Sequence, residues 1–155
     1  MATRSQTIPT GYHTFIPYIS VKRAAEAIEF YKRAFGAREV GRLSMPDGSI
    51  GHAEIEIGDS KIMLAEENAE WGNVGPQTLE GSPVTLCLYV DDVDAVFSKA
   101  LQEGAQVTGD MEVKDQFYGD RSGSLTDPFG HKWTLMTHIR DVSYEEMQQQ
   151  MASMA

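Results

Sequence analysis

Residues 14–37 read TFIPYISVKRAAEAIEFYKRAFGA, and this stretch decides the fold because its apolar period changes once and then stops. Residues 14–21 are aromatic and β-branched, the composition of a strand, and Ser20 stands where a helix cap is wanted. Ala24, Ile28, Tyr31 and Phe35 then fall at i, i+4, i+7 and i+11, one apolar stripe on a helix, and Gly36 supplies its stop. Beyond it, three strands are expected at about residues 38–45, 50–57 and 61–65. They are separated by Pro46-Asp47-Gly48 and Gly58-Asp59-Ser60, both of which are turn chemistry. The first unit therefore reads βαβββ.

The same order returns in VTLCLYVDDVDAVFSKALQEGA, residues 84–105. An apolar strand over 84–90 precedes Asp91 and Asp92, either of which can cap a helix, and Val93, Phe97, Ala100 and Leu101 form the stripe. Gly36-Ala37 and Gly104-Ala105 match at an offset of 68 residues. Three more strands are expected at 106–113, 118–126 and 131–138. Asp127-Pro128-Phe129-Gly130 joins the last two, with Pro and Gly where a tight turn wants them. Repetition of one supersecondary unit predicts an α+β fold of two βαβββ modules, residues 12–66 and 84–138, within a single domain spanning 1–155. Residues 67–83, rich in Asn, Gly, Pro and Glu around Trp71, are expected as a connecting loop. Residues 139–155 are expected as a helical tail opened by the capping box Ser143-x-x-Glu146, with Tyr144, Met147 and Met151 on its apolar face.

Composition narrows the function. The chain has 13 Lys and Arg against 23 Asp and Glu, a net charge of -10, which repels phosphate backbones and anionic lipid and leaves neutral or cationic small molecules unopposed. Nucleic acid and membrane are thus not expected as partners. Cys87 is the only cysteine, so neither an intrachain disulfide nor a Cys-rich zinc site is possible; within VTLCLYV it is expected as a buried, inert thiol. MATRSQTIPTGY lacks an apolar leader core, and no long apolar run occurs, which predicts a cytoplasmic protein.

AAEAIEFYKRAFGA after the first strand, YVDDVDAVFSKALQEGA after the fifth and DPFGHKW before the eighth resemble the landmarks of the vicinal oxygen chelate superfamily. That superfamily includes glyoxalase I, extradiol dioxygenases and bleomycin-resistance proteins. YGDRSGSLTDPFGHKWTLMTH followed by a short acidic, Met-rich helix is similar to its PhnB-type branch. The resemblance covers residues 14–147. It implies that each module curls into a half-barrel around a cavity and that metal-dependent members place one ligand on each of four strands. Carried onto this chain, those positions are Ile16, Met63, Thr85 and Thr134. None is His, Asp or Glu, whereas catalytic divalent metals need such donors, usually three or more. A register shift of one residue brings Phe15 or Pro17, Ile62 or Leu64, Val84 or Leu86, and Trp133 or Leu135, and supplies no ligand either.

A nonstandard metal set remains as an alternative. His52, Glu54 and Glu56 alternate on one strand and so share a face, and His138 is the histidine expected to point toward a cavity; ordinary wetting of one sheet face explains the same alternation. His138 lacks a visible carboxylate partner in the sequence. His131 is expected to cap or pack its turn, and His13 to sit in solvent. Asp120 and Arg121, adjacent on a strand, must point to opposite faces. Arg121 suits a ligand carboxylate or carbonyl, and equally a structural ion pair to a neighbour or to another subunit. Tyr18, Tyr89, Tyr118, Trp133 and Phe117 supply aromatic surface, and Trp71 is an apolar anchor in a polar loop, placed to close over a cavity or to reach a partner.

Three functions fit these residues. One is a homodimer that binds a small organic molecule without metal, of the sequestration or resistance type, with Tyr18, Trp71, Tyr89, Tyr118, Arg121, Trp133 and His138 as the candidate contacts. Another is a lyase, isomerase or dioxygenase on the nonstandard metal set, which leaves open whether the chain is an enzyme. The last is a structural or regulatory protein in which the fold supplies only a dimer surface. The ubiquinone methyltransferase name attached to PhnB-type sequences finds no Gly-rich cofactor loop here.

Overall fold

The computed structural model describes residues 6–154, so residues 1–5 of the N-terminal stretch and Ala155 of the tail lie outside the described residues. The chain divides into two compact units between Glu80 and Gly81. Two open sheets and four α-helices make up the described residues, neither sheet closes into a barrel, and the class is α+β as expected. Among the described residues no helix is long and apolar enough to cross a membrane.

In the N-terminal unit, β1 (Tyr18–Val21), β2 (Arg38–Ser44), β3 (Ile50–Ile57) and β4 (Ser60–Glu66) form a sheet in the order β1-β4-β3-β2, with β1 parallel to β4 and the remaining pairs antiparallel. Helix α1 (Ala24–Phe35) buries Ala24, Ile28, Tyr31 and Phe35, the predicted stripe, together with Ala27 and Phe30. That apolar face meets Ile19 and Val21 of β1 and Ile55 and Leu64 of the central strands, all buried, and their removal from water is the main force holding the unit together.

Three expectations are corrected here. β1 begins at Tyr18 rather than Thr14: Pro17 has no N–H to give a ladder, and only its carbonyl joins, accepting the Met63 N–H at 3.0 Å. Ser20 lies inside β1 and does not cap α1. The Arg23 side chain offers no cap either, and the Glu66 carboxylate at the end of β4 accepts the Ala24 N–H at 3.1 Å. An acceptor from a distant strand thus does the work assigned to a local one, at a helix end that also favours negative charge. Residues 67–83 are more ordered than a plain connector: a 3-10 turn at Ala69–Trp71 and a one-turn helix α2 (Pro76–Leu79) are tied back by Glu67, which accepts the Gly75 N–H at 2.9 Å and the Thr78 hydroxyl at 2.7 Å.

In the C-terminal unit, β5 (Thr85–Tyr89) runs parallel to β9 (Lys132–His138), which pairs antiparallel with β8 (Asp120–Thr126). Helix α3 (Val93–Gln102) is capped by Asp92, whose carboxylate accepts the Ala95 N–H at 3.1 Å, and it buries Val93, Phe97 and Ala100. The strand expected over 106–113 is broken. Only β6 (Gln106–Val107) and β7 (Lys114–Asp115) pair with β8, because the chain turns at Gly109-Asp110, with the Met111 N–H on the Thr108 carbonyl at 3.1 Å. The hairpin turn closes as expected, Gly130 N–H to Asp127 carbonyl, 3.1 Å. The buried Asp127 carboxylate accepts three further N–H groups, from Phe129 (2.9 Å), His131 (3.0 Å) and the Trp133 indole (2.9 Å).

Cys87 is exposed, contrary to expectation. An apolar run implies burial only if both sheet faces are covered. On β5, Leu86 and Leu88 are partly covered, while Thr85, Cys87 and Tyr89 alternate onto the bare face. The tail helix α4 (Tyr144–Ala152) is capped by the Ser143 hydroxyl accepting the Glu146 N–H at 3.1 Å, as the capping box predicts, and none of its residues is buried.

Candidate functional site

Each sheet has one face packed on its helix and one left open. Cross-strand pairing places Asp120 with His138, Ser122 with Met136 and Ser124 with Thr134 on the open face of the C-terminal sheet, and Arg121, Gly123 and Leu125 on the helix side. Asp120 and Arg121 therefore do point apart, as strand geometry requires. Arg121 is spent in a double ion pair, with Asp94 of α3 (2.8 and 2.9 Å) and Asp115 of β7 (3.0 Å), and these carboxylates hold its guanidinium well above the ordinary range. Trp133 is 2% exposed in the core, so of the expected contacts these two serve the packing of the unit.

A cleft of about 580 Å³ opens at the end of this sheet, between β5, the turn at Phe117-Tyr118, the ends of β8 and β9, and α4. Tyr89, Tyr118 and His138 line it, three of the predicted residues. At its floor Asp120, only 5% exposed, accepts the Tyr89 hydroxyl at 2.8 Å and meets His138 Nδ1 at 2.8 Å. His138 Nε2 reaches Asp141 at 2.7 Å. Asp141 foremost, with Asp120, holds the imidazole above its usual range, and the Asp120 carboxylate raises the Tyr89 hydroxyl. His138 thus has two carboxylate partners where the sequence showed none. Asp141 and Tyr144 were missed as site residues. The signal was a carboxylate three residues after His138 at the entrance to an amphipathic helix, and the apolar face of that helix, Tyr144, Met147 and Met151, forms the cleft wall. A second, polar hollow of about 310 Å³ lies beside it on the open face, lined by Ser122, Ser124 and Thr134 and sharing Tyr118, whose hydroxyl meets Ser122 Oγ at 3.1 Å.

The open face of the N-terminal sheet carries a hydrogen-bonded chain of its own. Tyr18 OH meets His52 Nδ1 at 2.9 Å, His52 Nε2 meets Glu54 at 3.2 Å, and the Tyr12 hydroxyl donates to the other Glu54 oxygen. The Tyr12 bond, followed by His52, keeps Glu54 below the ordinary carboxylate range; Glu56 is lowered by Lys61 (2.7 Å) and by Arg38 (3.1 Å). His13 is exposed and reaches the Asp59 carbonyl at 3.1 Å. Trp71 is 58% exposed at the end of the 3-10 turn.

The metal implied by the family does not fit these residues. Met63 and Thr85 and Thr134 occupy strand positions without an ionisable donor, both ring nitrogens of His52 are already engaged, and among the described residues no group of three or more His, Cys, Asp or Glu is placed to hold an ion.

Comparison with known proteins agrees with the architecture. An uncharacterized protein of Mycobacterium tuberculosis is 43% identical over 140 residues, 88% of this chain and 81% of that protein. An Arabidopsis thaliana gene product, whose crystal structure covers 80% of this chain and 98% of its own with a TM-score of 0.62, is 29% identical. A PhnB protein from Bacillus cereus shares the fold at 19% identity, with a TM-score of 0.63 over 81% of this chain and 99% of its own. The family model of the glyoxalase/bleomycin resistance protein/dioxygenase superfamily matches residues 12–135, and with the paired sheet-and-helix units described above, the chain belongs to that superfamily.

Proposed function

We propose that this protein binds a small organic molecule in the cleft of its C-terminal unit, without a metal, as a sequestering or carrying protein of the cytoplasm. The observation that carries this reading is the make-up of the cleft: rings of Tyr89, Phe117, Tyr118 and Tyr144 and thioethers of Met147 and Met151 around a few hydrogen-bonding groups at the floor. Mostly apolar walls with a small number of convergent polar groups are the usual construction of an organic-ligand site. The Asp120–His138–Asp141 array supplies charged hydrogen-bonding groups at the floor that orient such a guest.

The same reading makes the protein a homodimer. Among the described residues β5 has only β9 as a neighbour in its sheet and β1 only β4, and none of the α4 residues is buried. Unpaired strand edges and bare helix faces are what symmetric association covers.

Two measurements test the proposal. Metal analysis of dialysed protein is expected to find nickel, zinc, iron and manganese far below one per chain; a stoichiometric metal would revive the alternative enzyme built on His52, Glu54, Glu56 and His138. A thermal-shift panel of aromatic and heteroaromatic compounds is expected to give hits, each stabilising by about 2.7 kcal/mol at a hundredfold excess over its Kd. Hits unaffected by Tyr89→Ala and Tyr144→Ala would place binding elsewhere, and a concentration-independent monomer mass would remove the dimer.

A further inference from the structure

We propose that the C-terminal cleft selects a flat organic cation, and that this cation enters in exchange for the proton His138 carries between Asp120 and Asp141. The inference rests on the cleft being the organic-ligand site argued above, and it adds the charge of the guest and the event that admits it.

Geometry alone fixes the resting charge. An ionised carboxylate only accepts hydrogen bonds, and a neutral imidazole has a single N–H. His138 meets one carboxylate at each ring nitrogen, Asp120 at 2.8 Å and Asp141 at 2.7 Å, so both contacts are satisfied together only by the imidazolium. Two carboxylates and one imidazolium leave the floor at one net negative charge. Among the described residues no Lys or Arg lines the cleft, the nearest guanidinium being that of Arg140, which donates to the Phe117 carbonyl at 3.2 Å, and the other titratable groups lining it are the hydroxyls of Tyr89 from β5, Tyr118 from the turn before β8 and Tyr144 from α4. The aromatic walls point the same way, because ring faces attract cations through their quadrupoles and thioethers are polarizable.

The two bonds of His138 are unequal. Asp120 is buried and also accepts the Tyr89 hydroxyl, while the Asp141 side chain is fully exposed. An arriving cation therefore takes Asp141. The Nε2 proton leaves for solvent, and the neutral imidazole keeps its Nδ1–H on Asp120. One positive charge replaces another, so the floor ends at the same net charge, with the guest on Asp141 and with Asp120 still accepting the Nδ1–H and the Tyr89 hydroxyl. The same carboxylates keep His138 protonated above its ordinary range, and cation affinity therefore rises with pH across that titration, by up to about tenfold per pH unit where one proton is released per cation bound.

The experiment uses the full chain with N-methylacridinium, a permanent cation, and acridine, the same three rings without charge above neutral pH, each titrated by fluorescence at low salt. N-methylacridinium is expected to bind about tenfold more tightly than acridine. Asp141→Asn, at a side chain with no packing role, is expected to abolish that preference. His138→Gln retains a hydrogen bond to Asp120 but cannot titrate, and it is expected to flatten the pH dependence while keeping the preference for the cation. Equal affinity for the two dyes overturns the cation selectivity and leaves the organic-ligand site standing. A cation affinity that stays flat while the His138 ring titrates by NMR overturns the exchange. Failure of both dyes to bind counts against this inference and against the cleft as a ligand site together.

Discussion

Asp127→Ala is expected to lower the unfolding free energy by about 3–5 kcal/mol, among the largest effects of any substitution outside the apolar core. The carboxylate is buried and accepts N–H groups from Phe129 and His131 in the turn and from the Trp133 indole in the core. Removing it strands three donors away from water, each costing about 1–3 kcal/mol, with partial relief where the turn can open to solvent. Asp127→Asn keeps the shape and two acceptances but loses the charge, and it is expected to cost about half as much. Urea denaturation followed by Trp fluorescence measures both. A loss under about 1 kcal/mol for the alanine variant would mean that the turn, and not the carboxylate, organises the β8–β9 hairpin.

Gly119→Ala is expected to cost more than about 3 kcal/mol, or else to dislodge the segment that carries Asp141. Gly119 has φ +101, a conformation that L side chains rarely adopt, and a Cβ there would stand 2.2 Å from the Arg140 carbonyl oxygen. Its own carbonyl accepts the Ile139 and Arg140 N–H groups at 2.9 and 3.1 Å, so the residue is the clip that fastens the chain leaving β9. A methyl group pushes that clip open and separates His138 from Asp141, and cleft binding should fall along with the melting temperature. Gly48→Ala is the control. Its φ of +88 is also positive, but nothing lies within 4 Å of the added carbon, so only the backbone term of about 1 kcal/mol is expected. Equal losses at the two positions would show that conformational strain dominates and that the close approach to Arg140 carries little.

The helices were the most legible part of the chain. Ala24, Ile28, Tyr31 and Phe35 are all buried where a 3.6-residue period puts them, and in the second unit Val93, Phe97 and Ala100 of the expected stripe are buried while Leu101 is only partly covered. A stripe of apolar side chains has one low-energy answer, to cover it, and that answer is local. The second strand of the second unit was less legible. Residues 106–113 have the composition of a strand, yet regular ladder pairing with β8 survives only at Gln106–Val107 and Lys114–Asp115, because the chain turns at Gly109-Asp110 between them and only Thr108 and Met111 keep backbone bonds to Ser124, at 2.9 and 2.8 Å. Cys87 shows the same limit, since no periodicity says whether the second face of a sheet is covered.

The candidate site divides along that line. Strand alternation alone required Asp120 and Arg121 to face apart and put His52, Glu54 and Glu56 on one face, and the residues themselves lacked donors at the four family ligand positions. Which of Asp120 and Arg121 faces the cleft, the pairing of His138 with two carboxylates, and the union of Tyr89 with Tyr144 in one wall were decided only by tertiary structure. The reason is physical: periodicity is a property of neighbours along the chain, whereas a charge partner or a cavity wall is set by register and chain crossing, which bring together residues as far apart as Tyr89 and Asp120.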